Sequence, residues 1–239
     1  AVWRRHLAVQ FCLNRKEVFD MVKMVVFDLD GTLMNSLTDL AISVNYGLKL
    51  NGLEEKPVEN YKTYVGNGRE MLIRRAMGDA WTDHELFEKV KADYDRHYAV
   101  HCNDHTAAYD GCAEMLEKLA KKGVKTGVLS NKPDEFVDKM LKKAFPNHRF
   151  TQAWGQKPQY KTKPEPDALL ALLDMSGVTP EECFYVGDSD VDVFTANNAG
   201  VKMAGVSWGF RGKNELMNAG APFVADTAEE LFDYICKFI

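Results

Sequence analysis

A chain of 239 residues, 46% hydrophobic and 27% charged, has the make-up of an ordinary soluble globular protein with one large core or two modest ones. A net charge of −5 offers no basic face for nucleic acid, and no apolar run approaches the roughly 20 residues of a membrane span. Cys12, Cys102, Cys112, Cys183 and Cys236 are odd in number and never form a C-x-x-C pair, which argues for reduced thiols and a cytoplasmic setting.

Residues 1–20 stand apart. Arg4, Arg5, Arg15 and Lys16 among Leu7, Val9 and Phe11 have a faint targeting character, but Glu17 and Asp20 break it. The segment reads as an appendage or leader, with folded structure starting near Met21. The short apolar run Met24–Phe27 then predicts a buried strand, ending abruptly in Asp28-Leu29-Asp30-Gly31-Thr32. From Ser36 the pattern is helical: Leu37, Leu40, Ala41, Val44 and Leu48 share a face, and Asn51-Gly52 stops it. Further helical pattern covers 59–64, 70–77 and 82–101, with the loop Val65-Gly66-Asn67-Gly68-Arg69 between the first two.

Beyond Gly111 helix and strand alternate. Strands are predicted at 124–129, 150–154, 184–186 and 201–206, and helices at 113–121, 134–145, 166–176 and 192–198. Thr227 is positioned to cap a last helix. Repeated βα units predict an α/β fold: a doubly wound, mostly parallel Rossmann-like sheet with a small helical cap domain inserted after its first strand. The core then comprises 21–35 and 107–239, and the cap 36–106.

Strand ends of such a sheet line up along one edge, where ligands bind. That edge collects Asp28 and Asp30, then Ser130 and Asn131, then Asp188, Asp190 and Asp192, with Lys163 in the loop Lys161–Pro166. Acids so gathered repel one another unless some are protonated or a cation lies between them. Oxygen-only ligands favour a hard ion, Mg²⁺, and Lys163 adds the charge that draws a phosphate dianion. Ser130 and Asn131 supply donors for its remaining oxygens. A carboxylate nucleophile can then take the phosphoryl group, while a second acid protonates the departing alcohol.

Asp28-Leu-Asp-Gly-Thr-Leu, Ser130-Asn131, Lys163-Pro-Glu-Pro and Gly187-Asp-Ser-Asp-Val-Asp192 together resemble the four motifs of the haloacid dehalogenase-like hydrolases, in the family's order. The resemblance implies Asp28 as nucleophile and metal ligand, and Asp30 as general acid/base with its backbone carbonyl on the metal. It implies Ser130 and Asn131 as phosphate binders, Lys163 as the residue steadying nucleophile and phosphate, Asp188 as a metal ligand, and Asp192 close by and counted with the metal set. Thr32 is the phosphatase-like choice at its place and is counted with the phosphate-binding set. The helical insertion resembles the family's small cap. Val65–Arg69, Asn35–Leu40 and Val206–Phe210 are similar to the phosphoglycolate phosphatase branch, although Asn35 departs from the acid often found there.

The implied activity is Mg²⁺-dependent hydrolysis of a small phosphorylated metabolite, 2-phosphoglycolate first, by a monomer or homodimer. The alternatives are a β-phosphoglucomutase, pyrophosphatase or nucleotidase of the same superfamily, or a non-catalytic phospho-ligand module. Arg69 reads as a surface arginine, or as the cap's contact with a substrate carboxylate, which its planar fork suits. His97, His101 and His105 would form a metal-binding face only on an unbroken helix, and the helix should end before His105. Trp208 and Phe210 read as packing residues. Removal of residues 1–20 should leave turnover and melting temperature unchanged, as activity assay and calorimetry on the trimmed chain would show.

Overall fold

The computed structural model describes residues 21–239; the expected leader at 1–20 lies outside the described residues. Six strands form one parallel sheet: β1 Met24–Phe27, β4 Lys125–Pro133, β5 Gln152–Gln156, β6 Cys183–Gly187, β7 Lys202–Val206 and β8 Val224–Ala225. Their spatial order is β5-β4-β1-β6-β7-β8, which puts the first strand of the chain in the middle. Every β1 residue is fully buried because helices cover both faces. Val25 and Phe27 face one core layer with α5 Cys112–Lys121 and α6 Asp134–Ala144, while Met24 and Val26 face the other with α7 Asp167–Ser176 and α8 Asp190–Ala199.

Register aligns one edge of the sheet. Phe27 pairs with Val128 on one side and Val186 on the other, so the residues just beyond these three emerge side by side. Between β2 Met34–Asn35 and β3 Ala107–Ala108 lies a helical block: α1 Leu37–Leu50, α2 Tyr61–Tyr64, α3 Arg69–Met77 and α4 His84–His101. The two short strands pair antiparallel, Met34 with Ala108 and Asn35 with Ala107, and tie the block's entry to its exit.

Asp39 reinforces that tie. Its buried carboxylate accepts the Thr106 hydroxyl at 2.7 Å, the Thr106 N–H at 2.8 Å and the His105 N–H at 3.0 Å. The helix α4 has ended by then, as the sequence predicts. His97 Nδ1 lies 2.9 Å from the Ser43 hydroxyl and His101 Nδ1 lies 2.7 Å from Asp104; these two rings meet on one face of α4 with centroids 4.3 Å apart, while His105 lies beyond the helix end.

Several elements differ from the sequence reading. The strand expected at 150–154 runs Gln152–Gln156, because parallel pairing sets Gly127 against Gln152 while Phe150 stacks edge-on against Phe145 and His148. Helix α9 Lys213–Ala219 and the two-residue β8 were not anticipated, whereas the last helix, α10 Ala228–Ile235, is capped by Thr227 as expected. Replacing Asp39 by Ala orphans the two buried donors of Thr106 as well as the part-buried His105 N–H, and should cost about 2–3 kcal/mol in a urea titration.

Candidate active site

Asp28 emerges directly from β1, and its N–H continues the sheet by donating to the Val186 carbonyl at 2.8 Å. Three residues on, Gly31 turns the chain away with φ +92°. No other residue fits there, since a β-carbon would lie 2.2 Å from Asp188 Oδ2. The turn and the acid at the tip of β6 are thus pressed together by shape.

Oxygens of Asp28, Asp188 and Asp192 all lie within 4.8 Å of one another, and all three side chains are buried. Lys163 enters from the loop before α7. Its ammonium donates to Asp28 Oδ1 at 2.8 Å, Asp192 Oδ1 at 2.7 Å and the Tyr185 hydroxyl at 3.1 Å. The remaining Asp192 oxygen accepts from the Ser189 N–H and hydroxyl at the start of α8. Asp190 holds the same turn from outside, accepting the Val191 N–H at 2.8 Å.

The electrostatics follow from this crowding. Burial pushes the Asp28 carboxyl up to about 7, with Lys163 pulling it down and Asp192 and Asp30 adding to the rise. Asp188 is also held well above the usual carboxylate range, first by burial and then by Asp192 and Asp28, against the opposing Phe210 N–H at 2.7 Å. Burial works against the Lys163 charge, but Asp192 and Asp28 outweigh it and keep the ammonium protonated.

Asp30 sits slightly outside this group. Both its oxygens accept from Lys132 Nζ, at 3.0 and 2.9 Å, and Oδ1 also accepts from the Ser36 hydroxyl. Lys132 in turn lies 4.9 Å from the ring centroid of Tyr98 on α4. The Asn131 amide bridges three segments: it donates to the Lys163 carbonyl and to the Gly66 carbonyl, both at 3.0 Å, and accepts the Lys163 N–H at 2.9 Å.

These groups open on a cleft between the strand tips and the helical block. Asp28, Asp30, Ser130, Asn131, Lys163 and Asp188 line it from below. Arg69 and Tyr94 line it from the block, and Arg69 is paired with Asp95 at 2.9 Å. Two of the expected set stand back from the cleft: Asp192, held behind Lys163, and Thr32. The Gly31 turn carries the Thr32 side chain into the interior, 1% exposed, and its hydroxyl has no partner.

Sequence reasoning assigned nothing to Lys132, Tyr185 or Ser36. A lysine directly after Ser130-Asn131 and a hydroxyl inside the apolar run of β6 were the available signals, since buried polar groups need partners. Asp28 and Asp188 suit a hard divalent cation: their donors are all oxygen, and one ammonium does not balance the negative charge crowded there.

A fold of this kind with these four strand-tip motifs is shared by a known family: the model for haloacid dehalogenase-like hydrolases matches residues 25–206, and the chain belongs to that family. Within it the chain lies with the phosphoglycolate phosphatase-like branch. It is 33% identical to a phosphoglycolate phosphatase of Pseudomonas fluorescens (strain Pf0-1) over 91% of this chain and 78% of that one. It is 32% identical to that of Vibrio parahaemolyticus over 90% and 96%. The crystal structure of a Lactobacillus delbrueckii subsp. bulgaricus protein matches with a TM-score of 0.85 at 32% identity, covering 90% of this chain and 98% of that one.

The raised carboxylates carry a pH signature. A folded-state value above the unfolded one contributes stability below the unfolded value, and that contribution is lost as pH rises through the folded value. Without divalent metal, the melting temperature should therefore fall between about pH 4 and pH 7 as Asp28 ionises in place. Added Mg²⁺ should raise it more at pH 8 than at pH 5, which a thermal-shift series would measure.

Proposed function

We propose that this chain is a Mg²⁺-dependent phosphomonoesterase that works through an aspartyl-phosphate on Asp28, with 2-phosphoglycolate as its first candidate substrate. One observation carries the reading: the Asp28 carboxylate, the Lys163 ammonium and the Asp188 carboxylate meet at the floor of a single cleft, with Asp30 two residues from the nucleophile. The names of the phosphatase relatives support the substrate.

Asp28, Asp188 and the backbone carbonyl of Asp30 would hold the cation. Asp192, with both oxygens already engaged, serves to aim Lys163. When bound, the metal neutralises phosphoryl oxygens that would otherwise repel an incoming carboxylate. The Ser130 hydroxyl and the Asn131 backbone N–H would hold the other oxygens, with the Lys163 charge beside them steadying nucleophile and phosphate.

Asp28 attacks phosphorus, the bond to the alcohol oxygen breaks, and Asp30 gives that oxygen its proton. Water then attacks the same phosphorus and passes a proton to Asp30. The bond to Asp28 breaks, inorganic phosphate leaves, and both acids return to their starting states. The helical block, acting as a cap, excludes bulk water during the first step. Arg69 would meet a substrate carboxylate from above, sharing or leaving its present partner Asp95.

Asp28→Asn should abolish phosphate release from a panel of phosphorylated metabolites with Mg²⁺, at least 10³-fold below the parent, while circular dichroism stays unchanged. Turnover by that variant would refute the nucleophile. Asp30→Asn should lose about 10²–10⁴-fold for alkyl phosphates.

A further inference from the structure

Four consecutive residues after β7 touch three separate parts of the molecule. Trp208 Nε1 donates to the Thr32 carbonyl at 3.0 Å, beside the Asp28–Gly31 turn. Gly209 is wedged in: a β-carbon there would lie 2.3 Å from Asp188 Cβ and 2.5 Å from the Gly31 carbonyl oxygen. The Phe210 N–H donates to Asp188 Oδ2 at 2.7 Å. Arg211 then leaves the core altogether, its Nη2 donating to the Thr63 carbonyl at 3.1 Å and the Val65 carbonyl at 3.0 Å, both in the helical block.

We infer that Trp208–Arg211 is a strap that makes the seating of the cap loop and the aim of Asp188 interdependent, with Arg211 as the positioning residue that completes it. The inference rests on the reading of Asp188 as a metal ligand. Its physical basis is lack of slack. One residue separates the wedged glycine from the guanidinium, and the intervening N–H is already spent on Asp188. A shift of Thr63–Val65 relative to the core must therefore either break the Arg211 contacts or drag the amide that holds the carboxylate. Coupling is reciprocal, so a cation that fixes Asp188 must also favour the seated loop.

Arg75 supplies the control. It donates to the Thr63 and Tyr64 carbonyls at 3.3 and 2.9 Å, but from α3, inside the same block. Removing it loosens the loop without cutting the link to the core.

The test is hydrogen exchange in the segment 61–68 of the full chain, with and without Mg²⁺, for the parent, Arg211→Met and Arg75→Met. Thermal-shift titration with Mg²⁺ runs in parallel, and Asp188→Asn is included. Mg²⁺ should slow exchange of that segment about fivefold or more in the parent and in Arg75→Met, and leave Arg211→Met unchanged. The Mg²⁺ midpoint should rise about fivefold in Arg211→Met alone.

Equal Mg²⁺ protection in Arg211→Met and the parent, or none in the parent, overturns the strap. If the Mg²⁺ response survives in Asp188→Asn, the ligand assignment falls and the strap with it. If that response is lost there while Arg211→Met keeps its loop protection, the strap alone falls. Should Arg211→Met fail to fold, Arg211→Lys is read instead: intermediate protection supports the strap and full parental protection overturns it.

Discussion

Carboxylates gathered in a buried corner repel one another, and the Lys163 ammonium is the counterweight that lets this corner exist. It touches Asp28 and Asp192 directly, while Asp188 completes the trio with only the Phe210 amide and a crowded glycine turn for support. The imbalance is what makes the site useful. A fully neutralised cluster would have no pull on a divalent cation, and a bare one would resist folding. Position in the sheet enforces the arrangement, because β1 lies between β4 and β6 and their tips emerge at the same height.

A second pairing lies beside the first and separates the two motif acids. Asp30, clasped by Lys132 and Ser36, is kept out of the trio although only one residue separates it from Asp28. Residues two apart on a strand would point the same way, but β1 ends at Phe27 and the chain is already turning, so Asp28 meets Lys163 while Asp30 meets Lys132 and Ser36 near the helical block. Lys132 also lies against Tyr98 of α4, so the acid's partner is itself in contact with the part of the protein that covers the cleft.

Much of this was readable beforehand, for identifiable reasons. The strand Met24–Phe27 is apolar throughout and ends in a DxD turn, a local pattern that tertiary contacts do not overturn. The helical block was visible because its apolar spacing is long and regular. Elements of two residues, such as β2, β3 and β8, have no periodicity to detect; they exist because a neighbour supplies the partner. The same holds for side chains. Asp28, Lys163 and Asp188 stand in motifs, whereas the pairing of Lys132 with Asp30 spans 102 positions and depends on which strand lies next to which. Thr32 shows the opposite failure: its place in a motif suggested contact with phosphate, but one glycine turn is enough to send it inward.

The wedged glycines Gly31 and Gly209 have a corollary. Both press backbone directly on the Asp188 side chain, so the floor of the cleft has no room in which to accumulate substitutions. Its roof is made of helices and one short loop. A side chain added at either glycine would have to displace that carboxylate, so any change at the floor is tied to the geometry of Asp188 in a way that a change in the roof is not.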